Sequence, residues 1–159
     1  MSAVLALVGR FWWILLIVAI GVGGYVFRDH LTGSAGDLRV GDCIDLPARS
    51  DSISEVQHRP CADPHDAEVF AVLTHPAPNG APVLTQTETN SYLEQNCLSA
   101  FDLYTGQDFR TEPDHDIGWF YPTASSWAEG NRTFTCYLAR LDQAKMTGSR
   151  RVAGSTGSP

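Results

Sequence analysis

The densest collection of reactive groups runs from Cys61 to Phe70, where Cys-Ala-Asp-Pro-His-Asp-Ala-Glu-Val-Phe joins a cysteine, a proline turn and four ionisable side chains to an apolar strand. His65, Asp66 and Glu68, with Asp63, His58 and the cluster Asp114-His115-Asp116, offer the nitrogen and oxygen donors that a zinc ion takes. Alternation restricts this set. On a strand Asp66 and Glu68 share one face and His65 lies on the other, so the three cannot close on one ion without a bend. The reading that follows is structural: His65 and Asp66 hydrogen-bond the Pro64 turn and the start of the strand. No Gly-x-Ser-x-Gly or Ser-x-x-Lys marks a nucleophile. No catalytic residue and no cofactor is therefore assigned, the chain is expected not to be an enzyme, and Asp63, His65 and His115 stand only as weak metal candidates.

The four cysteines, Cys43, Cys61, Cys97 and Cys136, contain no CxxC pair, which argues against a zinc ribbon or a thioredoxin-like redox site. An even count, all beyond the apolar N-terminal segment, suggests two disulfides in an oxidising compartment. Trp127, Gly130 and Arg132 read as a turn whose indole covers one end of the core, and Trp127 is also a candidate for stacking on a ligand. His65, Asp66, Glu68, Trp127 and Arg132 together make the candidate binding surface. Trp119, Phe120 and Tyr121 are expected in the core rather than on a glycan platform.

Charge limits the partners. Of the 11 basic residues, Arg10 and Arg28 precede all 18 acidic ones, so residues 29–159 hold nine bases against 18 acids and a formal charge of −9. Such a surface repels nucleic acid and anionic head groups.

The elements that position these groups follow from pattern. Phe11 to Phe27 carries no charge and, extended back through Ala3 with Arg10 snorkelling to the interface, is long enough for a membrane helix. An uncleaved single-pass anchor is favoured over a cleaved signal peptide. The cysteines favour an external C-terminal domain. The expected organisation is a short cytoplasmic N-terminus and transmembrane anchor over 1–28, a linker over 29–37, a domain over 38–141 and a flexible tail over 142–159.

Within the domain, Leu38 to Leu46 suggests a strand interrupted near Gly41-Asp42, and Glu55 to His58 a short strand. Glu68 to Thr74 is apolar on both faces and suits a central strand. Leu93, Cys97, Ala100, Phe101 and Tyr104 recur at helical spacing over Thr87 to Tyr104, with a capping box at Ser91/Glu94 or at Thr85/Glu88 and a stop at Gly106. Ile117 to Pro122 and Thr133 to Leu141 read as strands separated by a tight turn at Ser125 to Asn131. With Cys97 on the buried helix face and Cys136 on the core face of the last strand, the pairing Cys97–Cys136 with Cys43–Cys61 is preferred among the three that four cysteines allow. The fold class is α+β: an N-terminal transmembrane helix, then a small disulfide-bonded domain whose antiparallel or mixed sheet packs on one main helix.

Gly41-Asp42-Cys43, Cys61-x-x-Pro64-His65-Asp66-Ala67-Glu68-Val69, Cys97, Tyr104-x-Gly106 and Trp127-x-x-Gly130-x-Arg132-x-x-x-Cys136 resemble the septum formation-related domain family, membrane-anchored envelope proteins of high-GC Gram-positive bacteria. The resemblance covers about residues 38–141. It implies a membrane-anchored, disulfide-bonded α+β domain loosely associated with cell division, and brings no established chemistry. The expected role is a binding module of the cell envelope, at the cell membrane with its domain outside, and its expected partner another envelope protein. The alternatives are a metal-dependent envelope hydrolase using His65 with nearby carboxylates, and a small-ligand or glycan receptor.

Overall fold

The computed structural model of the chain describes residues 32–47 and 55–154. The predicted membrane anchor lies outside the described residues, as do the loop 48–54 and the last five positions. Among the described residues no helix is long and apolar enough to cross a membrane.

Among the described residues six strands and two α-helices follow in order: β1 (Thr32–Ser34), β2 (Cys43–Asp45), β3 (Glu55–Arg59), β4 (Ala67–Thr74), α1 (Gln86–Thr105), β5 (His115–Phe120), α2 (Ala124–Ala128) and β6 (Thr133–Arg140). Five strands form an antiparallel sheet in the order β3-β2-β4-β6-β5, and the short β1 extends it at the β3 edge. The fold is α+β, one sheet against one main helix.

β4 is central because both of its alternating faces are apolar and both are covered. A bulge between Val69 and Ala71 puts Phe70 and Ala71 together in the larger core cluster. There they meet Leu93, Cys97, Phe101 and Tyr104 of α1 and Phe134, Cys136 and Leu138 of β6. A smaller cluster joins Leu38, Ile44, Val56, Ala67, Val69 and Phe120.

Helix α1 starts at the earlier of the two candidate caps. The Thr85 side chain accepts from the Glu88 N–H, and the Glu88 carboxylate accepts from the Thr85 N–H at 2.8 Å. Gly106 ends it in the left-handed conformation, φ 70°. The bridges are Cys43–Cys61 and Cys97–Cys136, with Cα separations of 5.2 and 5.9 Å. The second ties the buried face of α1 to β6.

Three expectations are corrected. Thr32 to Ser34, read as linker, pairs with β3 through Glu55–Gln57. The turn at Ser125 contains a short helix, α2, whose N-cap is Thr123. Residues 142–152, read as the start of a flexible tail, are bonded into the domain. Met146 is buried and exchanges backbone hydrogen bonds with His65, and the Val152 N–H donates to the Tyr104 carbonyl.

Candidate functional site

The first residues of β4 and the segment after β6 build a buried polar knot. Glu68 points into the core and is fully buried, a position that a carboxylate holds only with donors around it. Its Oε1 accepts from the Tyr104 hydroxyl at 2.5 Å and from the Ser149 hydroxyl; its Oε2 accepts from the Arg150 N–H at 2.7 Å. Burial, then the Glu68 carboxylate, pushes the Tyr104 phenol well above its ordinary value, so it serves as a proton-bearing donor.

His65 is also fully buried. Its Nδ1 donates to the Asp63 carbonyl oxygen at 2.8 Å, and among the described residues its Nε2 has no partner. An unsatisfied buried nitrogen of this kind costs roughly 1–3 kcal/mol. Asp66 turns elsewhere: it accepts from the Leu46 N–H at 3.0 Å and from Lys145 Nζ at 2.8 Å. Lys145 also pairs with Asp45, which Arg59 holds from the other side at 2.7 Å. The bend that separates these side chains falls at Asp66, between the isolated bridge of His65 to Met146 and the start of β4. The structure thus joins His65 to Glu68 and sends Asp66 away, where uninterrupted alternation pairs Asp66 with Glu68.

Trp127 and Arg132 cover one end of the core. The Trp127 indole N–H donates to the Ala81 carbonyl at 2.9 Å, and the Arg132 guanidinium sits 3.9 Å from its ring centre. The guanidinium also donates to the carbonyls of Ala77, Pro78, Trp127 and Asn131. It clamps the 77–81 loop onto α2, and Gly130 takes the φ of 96° that this turn requires.

The surface features gather along β5, an edge strand of the sheet. At its start, His115 Nδ1 bonds the Glu112 carboxylate at 3.0 Å, and that hydrogen bond holds Glu112 below the usual carboxylate range against the effect of burial. Both line a cleft of about 430 Å³ together with Thr105, Asp114, Ser149 and Arg150. Among the described residues the buried His115 Nε2 has no partner. Beyond the other end of β5, Tyr121, Pro122, Trp127, Leu84 and Phe134 line a smaller cavity of about 160 Å³. Trp119, near the end of β5, is 37% exposed, and Tyr121 is 50% exposed. His115, Trp119 and Tyr121 fall on one face by alternation. Phe120, on the other face, is buried as expected, whereas Trp119 and Tyr121 are not: the larger core covers their face at Ile117 and leaves them exposed.

Of the sequence-predicted metal ligands, His58 lies 3.8 Å from Asp42, the Asp116 carboxylate accepts from the Ile117 N–H at 2.8 Å, and Asp63 is exposed. Among the described residues the group with possible ligand atoms all within 4.8 Å is Cys43, His65 and Glu68, with Cys43 in a disulfide. Sequence reasoning missed Tyr104, Ser149 and Arg150 as partners of Glu68, and Glu112 as partner of His115. A lone carboxylate in an otherwise apolar central strand was the available signal for the first, and the three-residue spacing for the second.

A family model described as septum formation matches residues 40–158. Among curated proteins, those named "Putative lipoprotein LppN" from Mycobacterium tuberculosis (strain ATCC 25618 / H37Rv) and Mycobacterium bovis (strain ATCC BAA-935 / AF2122/97) are each 29% identical over 119 residues. The match takes in 72% of this chain and spans 63% of the length of those relatives. No solved structure matches the chain.

Proposed function

The chain belongs to the septum formation family, and on that premise we propose that it is a binding module of the cell envelope, held at the membrane with its domain outside the cell, whose partner is another envelope protein. Two disulfides suit an oxidising compartment. The relatives' name as lipoproteins, which describes them, favours envelope attachment here too. The observation that carries the reading is an exposed Trp119 on an edge strand of the sheet, with a polar cleft at the start of that strand and a second, mixed cavity beyond its end. Aromatic side chains of this kind anchor protein interfaces because they bury a large area for few rotatable bonds. Most other polar side chains of the predicted surface, Asp66, Glu68 and Arg132, are engaged in bonds that hold the fold together.

The test is photo-crosslinking in intact membranes from a probe at Trp119, beside one at Glu129 on the exposed turn after α2. A defined adduct from position 119 that W119A and Y121A chains no longer compete away supports the reading, and equal competition by those variants defeats it. A small-ligand or glycan receptor is favoured by one feature, the cavity that Tyr121 and Trp127 line. Soluble envelope saccharides that quench Trp127 fluorescence while leaving the crosslink intact would separate that role from protein binding.

A further inference from the structure

A fully buried imidazole nitrogen that has no partner among the described residues stands beside a carboxylate and a sulfur, both of which the fold already uses. Cys43 Sγ, a His65 nitrogen and a Glu68 oxygen all lie within 4.8 Å of one another. Nδ1 of His65 is taken by the Asp63 carbonyl, so Nε2 holds the open lone pair. Glu68 receives two hydrogen bonds on Oε1 and one on Oε2, which leaves one lone pair on Oε2. Sulfur, imidazole and carboxylate are what zinc accepts, and bonds of about 2.0–2.3 Å place tetrahedral donors roughly 3.3–3.8 Å apart. Two things stand between this set and an ion: the disulfide that holds Cys43, and a closing movement from separations of up to 4.8 Å.

We propose that the Cys43–Cys61 bridge covers a latent zinc site: when a dithiol reductant opens it, the Cys43 thiolate, His65 Nε2, Glu68 and the Cys61 sulfur bind one ion. Cys61 is partly exposed and Cys43 is buried, so the attacking thiolate meets the Cys61 sulfur and Cys43 leaves. The dithiol's second thiol then displaces Cys61. The reductant departs as its own disulfide, having given up two electrons and two protons, and the protons rest on Cys43 and Cys61 until the ion displaces them to solvent. Cys97 and Cys136 are both buried and their bridge stays closed. This inference rests on the donor set alone and stands whether or not the β5 surface binds a protein.

The experiment compares the full chain oxidised, the same chain reduced with a dithiol that is then removed under anaerobic conditions, and the C61S chain, which frees Cys43 without any reductant. Each is titrated with cobalt(II) and zinc(II), following thiolate-to-cobalt charge transfer, and circular dichroism reports folding. The reduced chain binds one ion with a thiolate signature and the oxidised chain binds none. C61S binds through one thiolate, and H65A in either background is at least about tenfold weaker, the loss that even an outer-shell partner causes. Absence of a thiolate signature in C61S, equal affinity of H65A, or equal binding by the oxidised chain overturns the proposal. If reduction unfolds the chain, C61S alone decides.

Discussion

At the scale of single residues, Glu68 and Asp45 show how the same group type acts differently by placement. Glu68 is buried among neutral donors, so each donor is worth the energy of a charge-assisted hydrogen bond. Y104F removes one and leaves the ring packed; it should lower stability by about 1.5–3 kcal/mol, read as a shift of the urea midpoint at unchanged slope. Asp45 is depressed instead by ion pairing: burial raises its pKa, but hydrogen bonds from Lys145 and Arg59 outweigh that and hold it below its ordinary value. A carboxylate depressed in the folded state stabilises fully above its unfolded pKa, about 3.9, and loses that contribution as pH falls through the folded value. Lys145, raised by Asp45 and then Asp66, stabilises below its unfolded pKa and loses its contribution only as pH climbs through the folded value, in the strongly alkaline range. Urea midpoints of the native chain should therefore rise from about pH 3 to pH 5, and D45N should flatten that limb. An unchanged slope in D45N would show that other carboxylates dominate it.

At the scale of elements, the β5–β6 ribbon depends on a glycine. Gly118 lies opposite Tyr137, and a Cβ built there would stand 2.2 Å from the Tyr137 ring. The ring in turn stacks on Phe120, with centres 4.8 Å apart, so it has little room to retreat. G118A is expected to cost about 1–3 kcal/mol by overpacking and to disturb Tyr137 and Phe120 together. The check is thermal unfolding beside near-ultraviolet circular dichroism. A double variant G118A/Y137A that unfolds at the temperature of Y137A alone would assign the cost to this contact.

At the scale of the whole molecule, the segment after β6 closes the domain. Lys145 reaches Asp45 and Asp66, Met146 pairs with His65, and Ser149 and Arg150 satisfy Glu68. A chain ending at Leu141 keeps every residue of the larger helix, all named strands and both disulfides, yet leaves Glu68 with only Tyr104 among these donors. Breaking the partnership of a buried charge costs about 3–5 kcal/mol, a large part of the roughly 5–15 kcal/mol that holds a small domain folded. The truncated chain should be cleaved by protease under native conditions where the full chain resists. Equal resistance would mean that the segment rests on the domain without stabilising it.

What the sequence determined by itself is whatever repeats within one element or follows from a local turn. The apolar run of β4 marked the centre of the sheet, the helical spacing from Leu93 to Tyr104 marked the buried face of α1, and those two placements favoured the observed disulfide pairing. The cap at Thr85 rather than Ser91 needed the structure, since both have the required residue types. Tertiary structure alone decided which groups meet from distant positions. Glu68 and Ser149 are 81 residues apart and Trp127 and Ala81 are 46 apart, and no local period encodes such meetings. It also decided that β5 is an edge. Alternation tells which face a side chain takes, but Ile117 is buried and Trp119, on the same face, is exposed, so exposure depends on how far the core packs along the strand, which no local period encodes.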